Sequence, residues 1–143
     1  MRLHTASEVI SFCKKLETES AKLYRDMSGK YPANADFFNS MAKENEGFTV
    51  QVERAYYSVI SDAIEGGFAF DIESDDYALD TLLSQNSGFP NALGKIISIE
   101  ETITKFYSDA ARQSDSLMAD IPRAFKQVVK KREGRLEKIK QLA

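Results

Sequence analysis

Val9-Ile10-Ser11-Phe12-Cys13-Lys14-Lys15-Leu16-Glu17-Thr18-Glu19-Ser20-Ala21-Lys22-Leu23-Tyr24-Arg25-Asp26-Met27 is the stretch on which the fold turns. Val9, Cys13, Leu16, Ser20, Leu23 and Met27 follow a 4-3-4-3-4 spacing, the seam of a helix that buries one stripe against its neighbours. At about 100° per residue, Glu17 falls between Tyr24 and Ile10, inside the apolar arc. A carboxylate on a buried arc is costly unless it is paired or bound to metal. The helix therefore announces a site as well as a face. Thr5 and Glu8 form a capping box ahead of it, which predicts a first helix over about 6–30.

Three further stretches carry helical periodicity, and none alternates as a strand would. Pro32 closes the first helix and Asn34 can cap a second, over about 34–65, with Phe38, Met41, Asn45, Phe48, Val52, Ala55 and Val59 on its seam. Gly66-Gly67 stops it. A third helix over 90–112 opens at Pro90 and carries Ala92, Ile96, Ile99, Ile103, Phe106 and Ala110. Asp120 and Pro122 open a fourth over 121–142, with Ile121, Phe125, Val128, Arg132, Arg135, Ile139 and Leu142 on its seam. Residues 66–89 form an acidic connection bearing Asp71, Glu73, Asp75, Asp76 and Asp80, with a short helix expected over Tyr77 to Leu83. Two short connections around one long one predict an all-α four-helix bundle: two antiparallel helix hairpins joined by a long crossover, in a single domain over 1–143.

Composition agrees with one ordinary globular domain, at 143 residues, 43% apolar and 29% charged. The apolar runs are far shorter than the roughly 20 residues of a membrane-spanning helix. Met1-Arg2-Leu3-His4-Thr5 has no apolar leader, so a cytoplasmic location is expected. A lone Cys13 excludes an internal disulfide and a cysteine-rich metal site; on the seam it reads as a small core residue rather than a redox thiol. The net charge of −3 is uneven. From Ile121 onward eight Lys or Arg face Glu133 and Glu137, giving +6 and leaving −9 for the rest.

The two halves repeat. Glu17 and Tyr24 return as Glu100 and Tyr107 after 83 residues, and Glu100 again lies inside an apolar arc. Phe38, Ala42, Asn45 and Phe48 return as Phe125, Val129, Arg132 and Arg135 after 87. On Leu16-Glu17 to Leu23-Tyr24 and Ile99-Glu100 to Phe106-Tyr107 the chain resembles the rubrerythrin branch of the ferritin-like proteins, over nearly its whole length. That resemblance implies a di-iron centre held by one Glu from each of two helices and a Glu-x-x-His from each of the other two. It also implies peroxide reduction or other iron and oxygen chemistry, and pairing into a homodimer.

The departures decide what is expected of this chain. In Met41-Ala42-Lys43-Glu44-Asn45-Glu46-Gly47-Phe48, Asn45 and Phe48 stand where the resemblance puts Glu and His. In Val128-Val129-Lys130-Lys131-Arg132-Glu133-Gly134-Arg135, Arg132 and Arg135 stand in the matching places. Only Glu17 and Glu100 remain of six ligands. Phe48 has no lone pair, and Arg135 brings a permanent positive charge where a cation should sit. His4, the one histidine, precedes the first helix and reads as a solvated terminal residue. Glu44, Glu46 or Glu133 would serve only in a slipped, all-carboxylate register. Arg132 and Arg135 either neutralise Glu17 and Glu100 as bidentate forks, or Arg135 snorkels from near the helix end.

Tyr24 and Tyr107 read either as remnants beside a lost oxygen site or as core tyrosines. The acidic run Asp71 to Asp80 lacks the glycine and final Glu of a calcium loop, with Leu82 in the last place, and is expected to be a solvated crossover. The basic charges of the fourth helix, at Arg123, Lys126, Lys130, Lys131, Lys138 and Lys140, spread around its outer arc without interleaved aromatics, so nucleic acid is not expected. The leading expectation is a metal-free module with no cofactor and no catalytic residues, structural or binding in role. It would be homodimeric, with Phe68, Phe70 and Tyr56 as surface candidates. A rearranged di-iron oxidoreductase and a partner-binding module using helix four are the alternatives.

Overall fold

The capping box places the start of the first helix. Thr5 Oγ1 accepts from the Glu8 backbone N–H at 3.1 Å, and Glu8 Oε1 accepts from the Thr5 N–H at 3.0 Å. The structure, a computed structural model, describes residues 1–59, 69–83, 88–117 and 119–143. Among these residues the protein is all-α, with four long helices: α1 (Ala6–Lys30), α2 (Ala35–Val59), α3 (Phe89–Gln113) and α4 (Asp120–Lys140). A 3-10 turn at Pro32–Asn34 lies between α1 and α2, and Pro90 sits in the first turn of α3. The expected second-helix residues 60–65, the Gly66-Gly67 stop and Phe68 lie outside the described residues.

The predicted seams become the core. Every seam residue of α1 and α3 is buried, from Val9 to Met27 and from Ala92 to Ala110. In α2 the stripe holds from Phe38 to Val52 and then moves: Tyr56 is buried, while Ala55 and Val59 are only half-buried. A straight helix turns by about 20° per heptad relative to a strict 3.5-residue repeat, and over two heptads the seam shifts by one position. α1 packs along α2, α3 along α4, and α2 also meets α4.

Four expectations are corrected. Residues 2–3 and 72–73 form a two-stranded antiparallel bridge, β1 (Arg2–Leu3) with β2 (Ile72–Glu73), pairing Leu3 with Ile72. Two-residue strands are too short to show alternation in a sequence. The short helix expected over Tyr77 to Leu83 is instead a 3-10 turn at Ser74–Tyr77, because Ala78 leaves it in an extended conformation. His4 is not a free terminal residue: its ring Nδ1 lies 3.3 Å from the Phe70 carbonyl, and its own carbonyl accepts from the Phe70 N–H at 3.0 Å. Phe70 and Tyr56 are buried, so neither offers a surface for a second chain.

The acidic segment is pinned rather than loose. The Asp71 N–H donates to Gln113 Oε1 at 2.7 Å, Arg2 pairs with Asp71 at 3.2 Å, and the Tyr77 hydroxyl donates to Asp109. No helix among the described residues is long and apolar enough to cross a membrane.

Candidate functional site

Glu17 on α1 and Glu100 on α3 both end up fully enclosed, as their places on the apolar arcs require. Burying two carboxylates side by side demands positive charge or protons. α4 supplies the charge. Arg132, wholly buried, donates from Nη1 to both carboxylate oxygens of Glu100 at 2.9 Å each and from Nη2 to Glu17 Oε1. Arg135, one turn further on, donates from Nε to Glu100 Oε2 at 3.2 Å and from Nη2 to Glu100 Oε1. The remaining donors of Arg135 reach α2: Asn45 Oδ1 at 2.7 Å, Glu44 Oε1 at 3.0 Å and the Met41 carbonyl at 3.3 Å. Arg135 therefore belongs to the internal network, and the snorkelling alternative is excluded.

The tyrosines cross over. Tyr24 of α1 donates to Glu100 of α3, and Tyr107 of α3 donates to Glu17 Oε2 of α1 at 2.7 Å. The two contacts exchange halves of the chain, as the 83-residue repeat does. Besides Glu44, α2 contributes two neutral groups. Asn45 Nδ2 donates to Ser20 Oγ at 2.8 Å and to the Glu17 carbonyl at 3.3 Å. The Phe48 ring faces both guanidinium groups, its centroid 5.1 Å from Arg132 Cζ and 5.4 Å from Arg135 Cζ. An aromatic face attracts a desolvated cation, so Phe48 fits the two arginines.

The two carboxylates are not equivalent. Burial raises the Glu17 carboxyl above its ordinary range, and the single Arg132 contact with the Tyr107 hydroxyl only partly offsets this. Burial acts on Glu100 too, but Arg132 and Arg135 together outweigh it and hold that carboxyl down at about 2. Burial, reinforced by the neighbouring carboxylates, raises both tyrosines far above their ordinary value, so both remain protonated donors. The Cys13 thiol is enclosed and likewise raised by burial, which makes it a core residue rather than a nucleophile. Arg132 Nε is the one network donor among the described residues left without a partner.

This donor set does not fit a di-iron centre. All four inward carboxylate oxygens of Glu17 and Glu100 already accept N–H or O–H donors from Arg132, Arg135, Tyr24 or Tyr107. The carboxylates of the slipped register do not converge on the centre either. Glu44 is half-exposed on Arg135, Glu46 pairs with Arg25 at the surface, and Glu133 is exposed. Among the described residues, no three His, Cys, Asp or Glu side chains are grouped to hold a metal ion. A pocket of about 110 Å³ between α1 and α2 touches Glu17 and Asn45, room for a few waters rather than a sizeable substrate. On α4, Arg123, Lys126, Lys130 and Lys131 are exposed; Arg123 pairs with Asp120 at 3.4 Å and Lys126 with Asp115 at 3.8 Å.

The structure brings together all eight residues singled out in the sequence: Glu17, Tyr24, Asn45, Phe48, Glu100, Tyr107, Arg132 and Arg135. Sequence reasoning missed the parts that Ser20 and Glu44 play here: Ser20 accepts from Asn45, and Glu44, weighed only as a ligand of a slipped register, accepts from Arg135. Ser20 was read as a small seam residue, and its polarity on a buried stripe was the available signal. No family model, curated protein or solved structure matches the chain.

Proposed function

We propose that this chain is a ferritin-like bundle of the rubrerythrin kind whose di-iron centre has been replaced by an ion network, leaving a metal-free structural or binding module. The observation that carries the reading is the placement of Arg132 between Glu17 and Glu100, with Arg135 as a second guanidinium on Glu100. In the proposed ancestor, two α1–α2 and α3–α4 hairpins joined by a crossover would have held two cations there. Arg132 and Arg135 carry the compensating charge at the two positions the repeat aligns with Asn45 and Phe48. Permanently charged arginines neither give nor take protons near neutral pH, and the tyrosines stay protonated, so the network holds helices together rather than turning over a substrate.

Loading with ferrous iron under anaerobic conditions tests this. Well under one iron per chain is expected; about two tightly held irons with oxo-bridge absorption would overturn the proposal and favour a rearranged oxidoreductase. A quadruple variant, Asn45→Glu, Phe48→His, Arg132→Glu and Arg135→His, sharpens the test. It should be less stable than the parent without metal, because four carboxylates then crowd one another. Cobalt should restore its stability by binding the folded state alone. Failure of a folded variant to gain metal affinity would refute the alignment with the rubrerythrin pattern.

A further inference from the structure

α2 has two faces. Opposite its buried stripe runs an exposed one through Lys43, Glu46, Gly47, Val50, Arg54 and Tyr57. Among the described residues, Val50 and Tyr57 are two of the few large apolar side chains left in solvent, at 46% and 65% exposure, one heptad apart on that face. Around them the charges have an internal order. Taking Val50 as centre, Glu46 lies four residues before it and Arg54 four after, while Lys43 lies seven before and Tyr57 seven after. At 1.5 Å per residue these are axial offsets of about 6 Å and about 10 Å on either side.

We infer that this face of α2 docks against the same face of a second copy of the chain, antiparallel, about a twofold axis at Val50. A twofold axis sets each residue against its mirror position. Glu46 then meets the partner copy's arginine at position 54, Lys43 meets the tyrosine ring at 57, and the two valines meet each other. Each opposite-charge and cation–ring contact occurs twice. A parallel pairing would set like charges together and loses all of them. Among the described residues, Lys43 and Arg54 have no hydrogen-bond or ion-pair partner. Glu46 has one, Arg25, on the surface, and would bridge it to the incoming arginine. Open space around the Cβ position of Gly47 lets the second helix approach closely.

Three measurements on the full chain decide the matter. Sedimentation equilibrium at tens of micromolar should find a dimer whose dissociation constant rises with salt. Val50→Cys should cross-link that dimer on mild oxidation, while the parent does not, since its Cys13 is enclosed. Arg54→Glu should weaken association about tenfold or more, as Glu46→Lys should, and the two changes together should bring it back to within about threefold of the parent. Circular dichroism verifies that each variant is folded. A parent that stays monomeric overturns the inference and leaves the face to solvent or to a different protein. A dimer that Val50→Cys does not cross-link, or a double reversal that fails to recover, assigns the contact to another face and overturns it equally.

Discussion

The bundle centre and the clip between β1 and β2 are built from the same two groups, guanidinium and carboxylate, in opposite surroundings. In the clip, Arg2 pairs with Asp71 at 3.2 Å, with both side chains more than half exposed. In the centre, Arg132 pairs with Glu100 at 2.9 Å with neither exposed at all. Water stands ready to replace either partner in the clip, so that pair contributes at most about 1 kcal/mol. At the centre nothing replaces a lost partner, and breaking one pair leaves a charge stranded in the core. Geometry that looks alike therefore carries very different consequences, and burial decides which.

Arg132→Met should show the largest effect, a loss of about 3–5 kcal/mol in urea unfolding, because both Glu17 and Glu100 lose a guanidinium at once. Glu17→Gln in the same chain should recover part of this loss. Simple additivity of the two changes would show that Arg132 and Glu17 are not coupled, and the centre would then behave like the clip.

Within the centre, Glu100 and Glu17 should separate next. Glu100→Gln removes the acceptor of two arginines and should cost about 3 kcal/mol at neutral pH. Glu17→Gln should cost clearly less, since burial already disfavours its charge. Their pH dependences have opposite signs. The Glu100 carboxyl titrates lower in the folded chain, about 2 against an ordinary 4.5. Its contribution is present above pH 4.5 and is lost as the pH falls from 4.5 towards 2. Glu17 titrates higher when folded; its contribution is complete below pH 4.5 and is lost as the pH rises through the raised value. Unfolding midpoints measured across pH should lose the acid-side fall in the Glu100→Gln protein and the opposing slope in the Glu17→Gln protein. Identical profiles for the two variants would contradict the asymmetry.

The smallest effect belongs to the clip. Arg2→Ala should change stability by less than about 1 kcal/mol, and added salt should erase even that. A loss approaching that of Arg132→Met would mean that the clip, not the centre, holds the first helix in place.

Much of this was legible in the chain itself. The seams of α1 and α3 could be read residue by residue, because a helix buried on one face repeats its apolar residues at a period that local geometry imposes. Glu17 and Glu100 stood out because they interrupt that period, and Arg132 and Arg135 because the repeat sets them on the same inward stripe as Asn45 and Phe48, where the resemblance puts Glu and His. The β1–β2 bridge was hidden, since two residues are too few to carry a pattern and the pairing joins positions 69 and 71 residues apart. The burial of Phe70 and Tyr56 was hidden for the same reason: an aromatic in a connection, or one position off a seam, does not show which element will cover it.

The sequence by itself determined the helices, their inward faces and the set of polar residues that had to meet inside. Periodicity and capping are local, and they act before any two helices touch. Only the tertiary structure decided who bonds to whom: that each tyrosine reaches the glutamate of the other half, that both arginines converge on Glu100 while Glu17 keeps one, and that Phe48 lies against both guanidinium groups. Those choices depend on side-chain reach across helices brought together by packing, and with two anions and two cations in one dry space several pairings satisfy the same sequence. Which one is adopted, and hence which carboxylate is held low and which is pushed high, depends on distances that no one-dimensional pattern contains.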